Sequence, residues 1–168
     1  MGRGATKAAG NVWYEARIEA AKWNDRLNSR EGAAGVLGIS ADVVNTVERG
    51  LHKCMPVDLA VIMADEYNAP HLLNYYCLHE CPIGCHHSLS DEVVGIDRVT
   101  VKLLRNLKTE RLGEIKETLL DIAADGKITE DEKPALQDVL GYLDDLARTV
   151  SELKTLGEKV LHEDDGGR

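Results

Sequence analysis

The sequence predicts an all-α protein, and three observations carry that expectation. Apolar residues recur at three- and four-residue spacing along most of the chain, whereas no stretch alternates convincingly at period two. Aromatic residues make up only 4% of the 168 residues and Phe is absent, so Ile, Leu, Val and Ala must build the core, a composition that suits packed helices better than a sandwich or barrel. Capping side chains, glycines and prolines fall where one periodic stretch gives way to the next. The expected architecture is an N-terminal domain of five short helices, a Cys-rich connector and a C-terminal helical hairpin or bundle with a coiled-coil-like last helix.

Residues 1–10, MGRGATKAAG, are small and basic with no apolar period, and read as a flexible tail. From Asn11 the spacing of Val12, Ala16 and Ala20 predicts a helix running to about Leu27. Asn28 and Ser29 supply caps for a short helix with Ala33, Ala34 and Leu37 on one face, ended by Gly38, where a left-handed residue costs Gly nothing sterically. Ser40 caps the next helix, in which Val43, Val44 and Val47 are expected to face inward before Gly50 stops it. Pro56 opens a fourth helix carrying Leu59, Ile62 and Met63 to about Tyr67. After the break at Asn68 to Pro70, a fifth helix carries Leu72, Leu73, Tyr76 and Cys77, which closes a domain over 11–80.

Residues 81–90 are rich in Pro, Gly, Cys, His and Ser and read as a connector. Over 91–163 the chain is expected to be helical again. Val93, Ile96, Val99, Leu103 and Leu107 form one stripe, and Leu112, Ile115, Leu119 and Ile122 another. Val139, Leu143, Leu146, Val150, Leu153, Gly157 and Val160 then step by three and four as a coiled-coil or bundle seam, a surface for a partner helix inside the chain or in a second copy. Residues 164–168 read as a disordered tail.

Charge is divided unevenly between these regions. The chain totals −9, but residues 1–53 hold eight Lys or Arg against six acids, while residues 54–168 hold twelve against twenty-three. The total argues against a uniformly basic nucleic-acid binder; its distribution is that of a mildly basic head on an acidic body, expected if only the head meets an anionic partner. No apolar run approaches the roughly 18 residues needed to cross a bilayer, and no charged segment precedes an apolar one in the manner of a secretory signal. The expectation is a cytoplasmic protein with no membrane partner.

Residues 29–50, SREGAAGVLGISADVVNTVERG, are the most specific segment. Two short helices meet at a Leu-Gly-Ile-Ser turn, with Ala34 small enough for close packing and Val44 and Val47 beneath. With the Glu48-Arg49-Gly50 ending and the Pro56 to Tyr67 helix, this segment resembles the Cro/repressor-type (XRE) helix-turn-helix family of phage and mobile-element regulators, over about residues 12–78. The resemblance implies a five-helix DNA-binding domain, usually dimeric, acting on double-stranded DNA at an operator. Carried onto this chain, the recognition helix is Ser40 to Arg49, presenting Ser40, Ala41, Asp42, Asn45 and Thr46 to base edges. Arg30, Arg49 and Lys53 become candidate phosphate contacts, and the N-terminal tail could reach the adjacent minor groove. The reading surface holds no Arg, Lys or Gln, so a second expectation stands beside DNA binding: an antirepressor-like module that keeps the fold and binds protein.

Three of the four cysteines lie in Cys77-Leu-His-Glu-Cys81-Pro-Ile-Gly-Cys85-His-His. On a helix Cys77 and Cys81 share a face, and Pro82 to Gly84 could bend Cys85 and His86 or His87 back towards them. Cys77, Cys81, Cys85 and His86 make a chemically complete tetrahedral set for zinc, and three or four thiolates could hold an iron–sulfur cluster. A metal- or redox-responsive regulator is therefore a further expectation, against the plain alternative of a buried core cysteine with incidental neighbours.

Residues 121–132 carry Asp, Gly and Glu at several places of a calcium loop, but Ala123 removes a ligand, and Thr129 with Glu132 reads as a helix capping box. There is no glycine-rich phosphate loop, nucleophile elbow or His-Glu-x-x-His motif, so no enzymatic activity is expected.

Overall fold

The computed structural model describes residues 8–165, apart from the side chains of Cys85 and of residues 163–165. Among them are eight α-helices and no strand, an all-α chain as expected: α1 Val12–Ala20, α2 Arg30–Leu37, α3 Ala41–Glu48, α4 Val57–Glu66, α5 His71–His79, α6 Ile96–Asn106, α7 Thr109–Ala123 and α8 Lys133–Asp165. Short 3-10 turns span Asp25–Asn28 and Gly84–His86. Residues 1–7 and 166–168 of the expected tails lie outside the described residues, whereas residues 8–10 form a turn with Ala8 buried, and α8 continues to Asp165. The helices fall into two units: residues up to His87 with the end of α8 from Glu158, and Ser88–Gly157.

In the first unit the caps decide the boundaries. The Asn11 side chain accepts from the N–H of Trp13 at 3.0 Å and of Tyr14 at 3.1 Å, which starts α1, and its amide donates to the Val47 carbonyl at 3.2 Å, which ties that start to α3. The helix expected to reach Leu27 ends at Ala20 instead. Asn24 sits in extended backbone and accepts from Arg26 N–H at 3.2 Å, so its side chain nucleates a separate 3-10 turn rather than letting the helix continue. The two tryptophans part accordingly: Trp13 is 1% exposed and Trp23 59%.

Ser29 caps α2 through Gly32 N–H at 3.0 Å, and Ser40 caps α3 through Val43 N–H at 3.3 Å. Gly38 ends α2 at φ +68°, and the Leu51 N–H returns to the Thr46 carbonyl at 2.9 Å around Gly50, closing α3. Gly32 is required for a different reason: a Cβ there would lie 1.9 Å from the Arg26 carbonyl oxygen, so only glycine lets the 3-10 turn rest on α2. Trp13, Leu27, Ala33, Val44, Val47, Met55, Met63, Tyr67 and Leu72 make the core. Val43, Ile62 and Leu73, expected inside, are exposed, because Val44, Met63 and Leu72 already occupy the inward positions of their helices.

The second unit is packed more thinly. Val94, Val99, Ile115, Ile122 and Val139 are its buried apolar side chains, while Val93, Ile96, Leu107, Leu112 and Leu119 of the expected stripes are exposed. Polar side chains fill part of the inward face. Lys102 donates to both oxygens of buried Glu152 at 2.8 and 2.9 Å, Ser90 Oγ donates to the same carboxylate at 3.2 Å, and Asn106 joins Thr149 at 3.1 Å. The calcium-like segment is a helix stop and start: Gly126 adopts φ +72°, and Thr129 donates from N and Oγ to one Glu132 carboxylate oxygen at 2.7 and 2.8 Å.

Candidate nucleic-acid interface and thiol cluster

The α2–turn–α3 segment is built around one buried carboxylate. Glu48, the last residue of α3, is fully buried. Arg17 of α1, itself buried, approaches it from one side, with Nε on one carboxylate oxygen and Nη2 on the other at 3.2 Å, while Arg17 Nη1 donates to the Leu27 carbonyl at 2.6 Å. From the other side Arg30, at the start of α2, donates Nε at 2.6 Å. A buried charge is tolerated only when paired and hydrogen-bonded, and here two guanidiniums meet that need. The consequence is positional, since α1, α2, the 3-10 turn and the end of α3 converge on one anion. Tyr67 lies close by, and its phenol is pushed well above the usual range, first by burial and then by the charge of Glu48, with Arg17 opposing.

Arg30, expected to contact phosphate, thus has its Nε engaged by Glu48, with its side chain still 32% exposed. Ser40, Asp42, Arg49 and Lys53 are exposed, and Ala41, Asn45 and Thr46 half-buried. Thr46 was expected both to donate and to accept, but its hydroxyl donates to the Asp42 carbonyl at 2.8 Å, which leaves it the accepting role. Val43, which sequence periodicity assigned to the core, joins the outward face and adds methyl groups beside Asp42. Glu48 and Arg17 were missed as a pair. The signal was an arginine set among Trp13, Ala16 and Ala20 on an otherwise apolar helix face, which only a partner from another helix could satisfy.

The expected thiol residues lie in the loop after α3 and at the end of α5. Cys77 and Cys81 are half-buried at the end of α5, and Cys54 is exposed in the loop that follows α3. His52 of that loop meets Glu80 at 3.0 Å and so fastens the loop to the end of α5. The Tyr76 phenol is raised, first by desolvation and then by the charges of Cys54, Cys81, Glu80 and Cys77. The Gly84–His86 turn is seated against α5: a Cβ on Gly84 would fall 1.8 Å from the Cys77 carbonyl oxygen. The expected bend after Pro82 therefore does return the backbone to Cys77. His86 is exposed, the Cys85 side chain lies outside the described residues, and among the described residues no three His, Cys, Asp or Glu side chains are grouped so that they could hold a metal ion.

No family model matches the chain, and neither a curated protein nor a solved structure is found similar to it. Among the described residues no helix is long and apolar enough to cross a membrane.

Proposed function

We propose that the chain is a DNA-binding transcriptional regulator of the cytoplasm in which α2, the Gly38–Ser40 turn and α3 act as a helix-turn-helix, with α3 as the recognition helix. The observation that carries this reading is the anchoring of α3. Its start is capped by Ser40 and its end is held through Glu48 to both α1 and α2, so Ser40, Asp42, Val43 and Arg49 are presented outward on a helix that cannot tilt without breaking buried ion pairs. A recognition helix must be presented this way to enter a major groove as a rigid body. Arg49 and Lys53 would contact phosphate, Asn45 and Ser40 base edges, and Ala41 and Val43 a thymine methyl. The regulator performs no chemistry; it controls access to its site by occupying it, as a homodimer joined through α8.

Fluorescence anisotropy against duplex DNA at several salt concentrations tests the reading. Binding should weaken linearly on a log–log salt plot, and Arg49→Ala or Lys53→Ala should each weaken it and lower the slope by about 1. A second reading is favoured by the character of the α3 surface itself, where Asp42 and Val43 lie exposed with no long basic side chain among them. Such a surface suits a protein partner, as in an antirepressor-like module, and the C-terminal helices offer another such face. Absence of DNA binding at low salt in a folded, dimeric preparation would select it.

A further inference from the structure

We propose that α6 and α7 form a self-complementary docking surface: the basic outer face of α6 in one copy of the chain packs on the acidic outer face of α7 in a second copy, and the reverse. The inference rests on the homodimer of the preceding reading and not on its DNA binding. It names the faces, besides α8, that the two copies turn to each other.

Charge is sorted by helix in this part of the sequence. No acid lies between Asp97 and Glu110, while Arg98, Lys102, Arg105 and Lys108 place four bases there in a chain that totals −9. On α7, Glu110, Glu114, Glu117 and Asp121 follow at steps of four, three and four, which is one face of a helix. The fold turns both sets outward. α6 buries Val99, and its Lys102 and Asn106 are engaged by Glu152 and Thr149 of α8. Its other side presents Arg98, Val101, Leu104 and Arg105, all exposed, and Lys108 is exposed in the turn that follows. α7 buries Ile115 and Ile122 and leaves its four acids exposed, with Leu120 beside them.

Within one chain neither face is answered by the other. Arg98 approaches Glu92 at 3.8 Å, Arg105 and Lys108 form no ion pair among the described residues, and no ion pair there joins α6 to α7. Glu114 shares Arg111 with Asp138 of α8, and Glu117 has its neighbour Lys116 at 3.6 Å, but Glu110 and Asp121 meet no cation among the described residues. Each face also carries aliphatic surface: Val101 and Leu104 are 50% and 64% exposed, and Leu120 55%. DNA or an anionic bilayer could answer α6 but would leave the carboxylates of α7 unanswered. A second copy answers both, because in a two-fold contact whatever α6 gives to α7 of the partner is returned by the partner's α6. The aliphatic side chains supply area and the charges set orientation, the usual division between burial and electrostatic complementarity.

Sedimentation velocity of the full-length protein, without DNA and over a range of concentrations, tests the surface. The wild type should dimerise, and more weakly in about 500 mM than in about 50 mM NaCl, because exposed charges are screened. Reversing the α6 face with Arg105→Glu and Lys108→Glu should raise the dimer dissociation constant at least about tenfold in low salt, and reversing the α7 face with Glu117→Lys and Asp121→Lys should do the same. An equal mixture of the two variants should recover a dimer, since the reversed α6 of one then meets the reversed α7 of the other while the two native faces meet each other. All four positions are exposed, and circular dichroism checks that each variant is folded. Reversed variants that dimerise like the wild type overturn the proposal and leave the homodimer to α8 alone. Reversed variants that fail to recover on mixing overturn it as well, as does a wild-type dimer indifferent to salt, which decides the matter even if a variant does not fold. A wild-type monomer overturns both this surface and the homodimer.

Discussion

Glu48 is the residue on which the N-terminal unit turns. A carboxylate with no exposed surface loses its hydration on folding, and the two guanidiniums of Arg17 and Arg30 replace it with charge-assisted hydrogen bonds. Glu48→Gln removes the anion but leaves Arg17 buried, now as an uncompensated cation. The expected loss is about 3–5 kcal/mol, read from urea denaturation as a lower midpoint at unchanged slope. Tyr67→Phe should behave in the opposite sense. The Tyr67 hydroxyl is buried with no hydrogen-bond partner among the described residues, so its removal should leave stability unchanged within about 1 kcal/mol or raise it. Were Tyr67→Phe to cost as much as Glu48→Gln, the phenol would have to be a member of the ionic group rather than its bystander. At this scale the sequence was only partly readable. The outward positions Ser40, Asp42 and Arg49 followed from helical phase and caps, but Arg30 was assigned to phosphate because a basic residue opening a helix gives no sign that a carboxylate eighteen residues on will claim its Nε.

Helices were legible where a side chain or a glycine marks the end, and misread where periodicity alone was available. The bounds of α3 are those implied by Ser40 and Gly50, whereas α1 stops early because Asn24 competes for the backbone. In α8 the apolar repeat correctly indicates a long helix, yet only Val139 of the expected seam is buried; Leu146 and Leu153 are half-buried, and Leu143, Val150 and Val160 are exposed. The inward face is rotated toward Tyr142, Thr149 and Glu152, polar positions that a hydrophobic period cannot detect. Two glycines make opposite predictions about such elements. At Gly157, within α8, a Cβ meets nothing within 4 Å, so Gly157→Ala should stabilise the helix by about 1 kcal/mol. Gly32→Ala adds the same methyl against the Arg26 carbonyl and should cost about 1–3 kcal/mol. Thermal melts of the two variants side by side measure whether local propensity or close packing governs each position.

For the molecule as a whole, the open question posed by its surface is what covers α8. Leu140, Leu143, Ala147, Val150, Lys154, Gly157 and Leu161 follow one another at alternating steps of three and four, the spacing of a coiled-coil seam, and the apolar members Leu140, Leu143, Val150 and Leu161 are all exposed. A unit with only five buried apolar side chains gains little from its own core, so burying this stripe against a second copy would add stability that the isolated unit lacks. Lys154 and Gly157 weaken the seam towards its end, so the contact should be strongest around Leu140, Leu143 and Val150. Light scattering after size exclusion should therefore find a dimer, and the midpoint of thermal unfolding should rise with protein concentration, as it must when folding and association are linked. The double variant Leu143→Glu, Val150→Glu alters two exposed positions and so leaves the monomer's core intact, while setting like charges against each other across the seam. It should be monomeric, with a melting point independent of concentration and below that of the wild type. A variant that remains dimeric would move the interface off this stripe. A wild-type protein that is monomeric at all concentrations would remove the homodimer from the proposed function and leave the exposed face to a different partner.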